Sequence, residues 1–290
     1  MRNALVSTER GVSLPELMMA LLIMAVVGAV LVRLLIVQNR FFDHQMSLRS
    51  ARAVSRGALN VMLSDLRLVD ASGGPGDTLG LAAAAAYSLT VRVPYAMGLA
   101  CNVGGNVTVT LVPVDTIMLN TAAFSGYAWR DTAGGKYHYI EAGVAVANSA
   151  PGNCAAGFTA IVGGRVVALT PLPAAGAVGT VSPGVPVLLY QRIKYDLANS
   201  TTFPGKVALW RTLLTSGLTE EIAAPFDTSA VFKFFVQNTD TSQAGVPAQL
   251  SDVRGIDIVF NALSERNAQG RTEPQQARAT TAVFFKNRLN

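Results

Sequence analysis

RGVSLPEL, residues 10–17, joins a short polar leader to a long apolar run in this chain of 290 residues. The apolar run extends from Leu17 to Val37, and Arg33 is its one charged residue. A helix rises about 1.5 Å per residue, so roughly 20 residues cross a hydrocarbon core of about 30 Å. The stretch therefore predicts a membrane-spanning helix with a carboxylate, Glu16, at its start, where a charge is costly unless it has a function.

Two other interpretations of the apolar run remain open. A secretory signal has an apolar core of about 7–15 residues and a small-residue cleavage site after it. Here the run is longer, and an amphipathic segment follows it. A plain signal anchor fits the length but leaves Glu16 without a role. The acid therefore favours a segment that does more than hold the chain in a bilayer.

GVSLPELM, residues 11–18, resembles the class III signal of type IV prepilins and of type II secretion pseudopilins. The resemblance implies that residues 1–11 are a leader, which a prepilin peptidase removes on the cytoplasmic side by cutting between Gly11 and Val12. It also implies N-methylation of Val12, although the first mature residue in that family is usually Phe. Glu16 then matches the family's glutamate at mature position five.

The chemistry of the junction agrees with that resemblance. Cleavage after Gly11 leaves an ammonium group on the new N-terminus, and a carboxylate in apolar surroundings needs a cation. We expect Glu16 to pair with the N-terminal ammonium of a neighbouring subunit when helices pack side by side with an axial offset. Many main pilins carry a helix-kinking Pro in the apolar run, whereas this chain has Gly28 and Arg33 there, which predicts a smaller or different bend.

The chain divides into four predicted parts. These are the leader 1–11, a transmembrane half-helix 12–37, an amphipathic helix 38–71 and an exported β-rich domain 72–290. Apolar residues recur at steps of three and four beyond the membrane and predict a face that packs on the domain: Ala51, Val54, Ala58, Met62, Leu66 and Val69. The charged residues fall largely off this face: Arg49, Arg52, Arg56, Asp65 and Arg67. A Gly/Pro-rich stretch at 72–77 ends the helix.

The remainder reads mainly as β-strands, so the fold class is α+β. The long N-terminal helix is expected to pack on an antiparallel, β-rich, pilin-like domain. Predicted strands lie at 86–93, 106–119, 127–130, 136–141, 165–170, 185–195, 208–212, 231–237, 253–262 and 279–285. Pro113 bends the second of these strands, 131–135 closes a hairpin, and 141–157 and 171–186 are predicted loops.

A second, weaker resemblance lies in VLLYQRIKY, residues 187–195, followed by ALWR, residues 208–211. It is similar to the strand pair of the larger minor pilins and the J-type pseudopilins, where a strand ending in Tyr precedes a Leu-Trp/Tyr-Arg strand. From their pattern alone these are ordinary core strands, and Trp210 is predicted to be a buried aromatic.

Composition and cysteines limit the class of protein further. The net charge is +5 and the arginines are spread along the chain, which is typical of a solvated surface with membrane flanks; contact with anionic lipid or DNA is the alternative.

Cys101 and Cys154 do not form a Cys-x-x-Cys pair, so metal and thioredoxin-like sites are excluded. In an oxidising compartment they favour a disulfide, and two independent buried thiols are the other interpretation.

No reactive cluster points to an enzyme. His44 and His138 stand apart, and the sequence has no Gly-x-Ser-x-Gly or phosphate-binding glycine loop. We therefore expect no metal, no cofactor and no catalysis.

The C-terminal aspartates lack a calcium-binding array: Asp227, Asp240, Asp252 and Asp257. Aromatic residues beside basic ones, at 136–139 and 232–235, suit single-stranded DNA binding or strands with one buried face, and the strand interpretation is preferred.

The expected function follows from the resemblance. It implies a minor pilin-like structural subunit that initiates or caps a type IV pilus, a type II pseudopilus or a competence pilus. Its partners are a prepilin peptidase, other minor subunits and the major pilin through their N-terminal helices, and membrane lipid. The location implied is the bacterial inner membrane, single-pass, with the N-terminus cytoplasmic and the domain exported, and then the filament. The alternative is a tip adhesin or DNA-capture module on the same anchor, with nucleic acid not favoured.

Overall fold

The computed structural model of the protein describes residues 13–69, 80–120, 122–130, 137–141, 144–147, 154–173, 181–236, 239–245 and 248–285. In these residues one helix, α1 (Leu14–Leu66), precedes thirteen strands. The strands are β1 (Leu81–Ala85), β2 (Ser88–Gly104), β3 (Asn106–Leu111), β4 (Gly126–Arg130), β5 (Tyr137–Glu141), β6 (Val144–Ala147), β7 (Val166–Thr170), β8 (Pro186–Asn199), β9 (Val207–Leu213), β10 (Leu218–Phe226), β11 (Val231–Val236), β12 (Val253–Asn267) and β13 (Pro274–Phe284).

The helix α1 is continuous over 53 residues. Ser13 precedes it in an extended conformation, and Pro15 lies in the first turn, where its missing N–H costs no intrahelical hydrogen bond. The helix passes through Gly28 and Arg33 without a break. Its N-terminal part is long and apolar enough to cross a membrane, and none of that apolar window is buried within the protein.

The C-terminal part of α1 packs on the sheet through one face. The buried residues of the helix recur at steps of three and four, as a helical face requires: Ser47, Ala51, Ser55, Ala58, Met62 and Leu66. Val54 is half-buried against the same core, and Val69 is buried beyond the helix end. The predicted apolar face is therefore confirmed. The helix ends at Leu66, before the predicted end at residue 71, which lies with 72–77 outside the described residues.

The strands form one antiparallel sheet. Its main order is β11-β12-β10-β9-β8-β2-β3-β7-β6, while β13 pairs with β12, β1 with β2, and β4 with both β5 and β8. The longest ladder joins β2 to β8, from Ser88 opposite Asp196 to Leu99 opposite Pro186. The α+β class is thus confirmed as one long N-terminal helix followed by an antiparallel sheet.

Two hydrophobic cores lie along the shared strands β2 and β8. The first core contains the last buried turns of α1, together with Leu89, Ile193 and the fully buried phenylalanines of β10, β11 and β12. The second core contains residues from the other ends of β2 and β8, such as Ala100 and Leu189, and side chains of β3, β4 and β7. The helix contributes to the first core alone, so the second core lies beyond the part of the sheet that α1 covers.

A close aromatic contact joins β11 to β13 across the strand between them, β12. Phe235 and Phe284 both lie opposite Gly255, on its two neighbouring strands. Their ring centroids are 4.9 Å apart. A Cβ atom on Gly255 would lie 2.7 Å from Cδ1 of Phe284. The glycine therefore makes room for the two rings to meet.

Several strands differ from their predicted bounds. The strand predicted at 86–93 is the first part of β2, which continues to Gly104 because a register shift between Pro94 and Ala96 accommodates the proline. The strand predicted at 106–119 ends at Leu111, since Pro113 starts a 3₁₀ turn. The turn of the predicted 131–135 hairpin lies outside the described residues, but its strands β4 and β5 do pair.

Three strands were absent from the prediction. β1 and β6 are rich in alanine, which is a poor strand signal, and β6 lies within the predicted loop 141–157. β10 begins with exposed charged and polar residues and carries a proline near its end, so it resembles a loop in sequence. Pairing with strong neighbours overrides these weak local preferences: β1 with β2, β6 with β7, and β10 with β9.

Candidate functional site

The N-terminal junction is placed only in part. The predicted cleavage site between Gly11 and Val12, like the leader 1–11, lies outside the described residues. Glu16 lies in the first turn of α1, where its backbone N–H donates to the Ser13 carbonyl at 3.0 Å. A carboxylate there is favoured by the helix dipole. Its side chain is exposed and has no hydrogen bond or ion pair in the described part of the chain.

Arg33 is the second charge on the apolar part of α1. It is exposed and, like Glu16, lacks a partner among the described residues. Seventeen residues of helix separate the two, so they lie about 25 Å apart along the axis and do not pair with each other. Charged groups in a bilayer are costly unless they are paired or reach the interface. Neither charge is therefore neutralised within the described part of the chain.

A charged cluster connects the end of α1 to the sheet. The Tyr195 hydroxyl donates to Asp65 Oδ2 at 2.5 Å, and the Arg211 Nε donates to the same oxygen at 3.3 Å. Tyr195 and Arg211 lie directly opposite each other on β8 and β9. We call Asp65, Tyr195 and Arg211 the helix–sheet clasp. It fixes the last turn of α1 on the central strands.

The electrostatics of the clasp keep its tyrosine protonated and its arginine charged. Burial raises the pKa of the Tyr195 hydroxyl well above its usual range, and the neighbouring Asp65 carboxylate raises it further. Burial opposes the charge on Arg211, but the Asp65 carboxylate and the Tyr195 hydroxyl raise the pKa of its guanidinium overall. The tyrosine therefore remains a donor and the arginine a cation across the physiological range.

The clasp was missed by sequence reasoning. Asp65 was grouped with charged residues off the buried helix face, yet its side chain is half-buried and bound to the sheet. The resemblance at 187–195 and 208–211 marked the two strands that carry Tyr195 and Arg211. The prediction for Trp210 was wrong. It is half-buried outside both cores, and its Nε1 donates to the Asn199 carbonyl at 3.2 Å.

A second charged cluster lies on the face of β2 and β8 that points away from the cores. Arg92 and Arg192 are directly opposite each other, and both form ion pairs with Glu141 of β5. The Arg92 guanidinium lies 5.0 Å from the centre of the Tyr139 ring, a cation–π distance. Burial raises the pKa of the adjacent Tyr190 to about 12. These contacts hold the β4–β5 hairpin on the sheet.

A disulfide joins Cys101 and Cys154, with their Cα atoms 4.8 Å apart. Cys101 is fully buried on β2, and the Ala155 N–H donates to its carbonyl at 2.9 Å. The bond attaches the segment after Cys154 to the far end of β2. Large exposed apolar side chains gather in this second-core region: Met97, Leu99, Val114, Ile117, Met118, Phe158 and Val162.

The residues considered for other chemistries lie in structural positions. His138 stacks on Trp129 with ring centroids 5.5 Å apart, and His44 is half-buried on α1. Phe232 and Phe234 are fully buried in the first core, which agrees with the strand interpretation of 232–235. Within the described ranges, no three His, Cys, Asp or Glu side chains come together as metal ligands would.

Comparison with family models, curated proteins and solved structures gives no significant match. Interpretation therefore rests on the residues themselves. Two features stand out: an apolar helix that is unburied over its first half, and a sheet domain attached to its second half.

Proposed function

We propose that this protein is a minor pilin-like structural subunit. A prepilin peptidase cuts between Gly11 and Val12, Val12 is N-methylated, and the helix holds the chain in the bacterial inner membrane with its domain exported. The subunit then joins other minor pilins and the major pilin through their N-terminal helices. It initiates or caps a type IV pilus or a type II pseudopilus.

One observation carries this proposal. The first half of α1 is apolar and unburied, and it carries an acid in its first turn with no partner in the described part of the chain. A plain anchor has no use for that acid, since a charge near the hydrocarbon is costly. The ammonium of a neighbouring subunit's processed N-terminus neutralises Glu16 only at the correct axial offset. The pair therefore sets the register of assembly.

The size of the domain supports a position at or near the filament tip. The sheet encloses two cores, and the second extends beyond the part that α1 covers. A subunit of this bulk in every shaft position would crowd the lattice. We therefore expect the protein in far smaller amounts than the major subunit, and shaft stoichiometry would exclude a tip role.

The test combines mass spectrometry of the mature N-terminus with an assembly assay of Glu16→Ala. We expect the mature chain to begin at Val12, and the variant to be cleaved and inserted normally but not incorporated into filaments. Glu265→Ala is the control, because it removes an exposed acid from the sheet domain. A functioning protein that still begins at Met1, or a Glu16→Ala variant that assembles as well as the wild type, would overturn the proposal.

The alternative is a binding module carried at the tip on the same anchor. Its support is the set of large exposed apolar side chains in the second-core region, away from α1. This chemistry suits adhesion to an apolar surface better than capture of DNA, because affinity for DNA depends on contacts to phosphates and falls as the salt concentration rises. Gel-shift assays of the full chain with DNA at physiological salt decide whether DNA is a ligand.

A further inference from the structure

The half of α1 that packs on the sheet exposes a row of arginines on its opposite side. We call this row the arginine face: Arg49, Arg52, Arg56 and Arg67. All four side chains are exposed, and the steps of three and four between the first three place them on one side of the helix. Asn60 and Ser64, also exposed, continue the same side up to Arg67. The row extends about 27 Å along the helix.

No acid within the described residues neutralises the arginine face. None of its four guanidinium groups forms a hydrogen bond or ion pair there. The two acids nearby on α1 are used elsewhere. Asp65 is bound in the helix–sheet clasp, and the Asp43 carboxylate accepts the backbone N–H of Gln269. Four positive charges therefore face solvent on a helix whose other side is buried.

We propose that the arginine face docks against an acidic surface of a different subunit of the same assembly. This inference rests on the proposed function, in which helices pack side by side. The unburied apolar half of α1 and the first three arginines of the arginine face belong to one unbroken helix, and Arg67 directly follows its last residue. A subunit that packs along the first half therefore continues along the second, where the sheet leaves only the arginine side open. Its matching surface must supply carboxylates, because opposing like charges are costly.

Anionic lipid is a poor match for this face. If the bilayer ends near Val37, Arg49 stands about 18 Å and Arg67 about 45 Å beyond it along the axis. Exposed charges are largely screened beyond about 8–10 Å at physiological salt. Headgroups therefore neutralise little of the row.

A second copy of this chain is also a poor match. Copies that pack with parallel helices present the same arginines to one another, and the whole chain carries a net charge of +5. Repulsion between the arginines therefore opposes self-association along this face, whereas an acidic subunit is attracted and steered to it.

The test uses the full-length chain in its native cells, with the photo-crosslinking residue p-benzoylphenylalanine in place of Asn60. The crosslinked peptide is identified by mass spectrometry. We expect it to come from a different membrane-anchored subunit and to contain carboxylates. The double variant Arg52→Glu, Arg56→Glu should lower the crosslink yield at least about tenfold, because the contact becomes repulsive.

Two controls isolate the position of the charges. Arg271→Glu with Arg278→Glu changes the net charge equally at exposed sites on the sheet and should leave the yield unchanged. Replacing the partner's crosslinked carboxylates by lysine should restore the yield of the Arg52→Glu, Arg56→Glu variant. The amount of each variant in the membrane fraction verifies that it folds and inserts.

The remaining outcomes overturn the inference. These are a crosslink only to another copy of this chain, a crosslink only to lipid or to nucleic acid that nuclease removes, or equal yields from the arginine-face and control variants. If one of these outcomes is seen while Glu16→Ala still abolishes assembly, the inference about the arginine face fails and the proposed function stands. If neither change affects assembly, both fail.

Discussion

The Tyr195 hydroxyl reaches the Asp65 carboxylate across 130 residues of sequence, at 2.5 Å. Asp65 lies one residue before the end of α1, so this bond determines where the helix leaves the sheet. Arg211, opposite Tyr195 on the next strand, donates to the same oxygen. A hydrogen bond to a charged group contributes more than one between neutral groups. The clasp thus couples the long helix α1 to the sheet domain.

The first prediction concerns the clasp. Tyr195→Phe removes the donor and leaves the half-buried Asp65 carboxylate with Arg211 alone, so we expect the free energy of unfolding to fall by about 1–3 kcal/mol. Urea unfolding of the detergent-solubilised chain measures it. Tyr87→Phe, at an exposed position, is the matched control and should have little effect. Equal stability of both variants would mean that the clasp contributes nothing.

The second prediction compares two glycines. Gly255→Ala places a methyl group against the Phe284 ring and the Val283 carbonyl, at 2.7 and 2.8 Å, so we expect a loss of about 1–3 kcal/mol from overpacking. Gly57→Ala, on the exposed side of α1 with nothing within 4 Å, should instead gain about 0.5–1 kcal/mol. Thermal unfolding of both variants reports the signs. A stable Gly255→Ala variant would show that the rings move apart freely.

The third prediction concerns the disulfide. The bond closes a loop with a sequence separation of 53 residues. In the chain-entropy model its removal costs about 4 kcal/mol. Cys101→Ala with Cys154→Ala should therefore lower stability, and hydrogen exchange should quicken first in β3 and β7 of the second core. A reductant should act on the wild type but not on the double variant. Two free thiols in the purified native protein would contradict the bond.

The fourth prediction concerns acid. The Ser229 hydroxyl and backbone N–H donate to Asp227 at 2.6 and 3.0 Å, and these bonds hold the pKa of the carboxyl below its usual value. Because the pKa is lower in the folded state, the ionised carboxylate stabilises the folded protein at pH values above its unfolded pKa of about 4. This stabilisation is lost as the pH falls through the folded pKa. Asp227→Asn should therefore show a weaker decline in stability on acidification.

The size of the Asp227 effect is small, less than about 1 kcal/mol, because the carboxyl is largely open to solvent. Ser229→Ala is the companion variant. It removes the hydroxyl donor and should raise the pKa of the Asp227 carboxyl toward its ordinary value. Unfolding curves at several pH values measure both. Identical acid profiles for all three proteins would show that the turn does not contribute.

Periodic features were predictable from the sequence, because each depends only on residues that lie close together along the chain. The buried face of α1 followed from residues three and four apart, and the β4–β5 hairpin from two aromatic runs around a Gly-rich turn. The apolar run likewise predicted a helix long enough to span a membrane. These elements need no knowledge of the rest of the chain.

Features that depend on distant partners were not predictable. β10 has weak strand residues and forms because β9 lies beside it. Asp65 looked like one more charge on the outer side of the helix, and its two partners lie 130 and 146 residues later. The two cores were hidden for the same reason, since only the β2–β8 pairing shows that the same strands pass through both.

The β2–β8 ladder also bears on how the molecule withstands tension. Both strands run lengthwise from one core into the other, so a force applied from one core toward the other acts along them. Their interstrand bonds lie across that direction and are stretched in parallel, rather than opened one after another. A force that slides one of the two strands along the other must therefore break many bonds simultaneously.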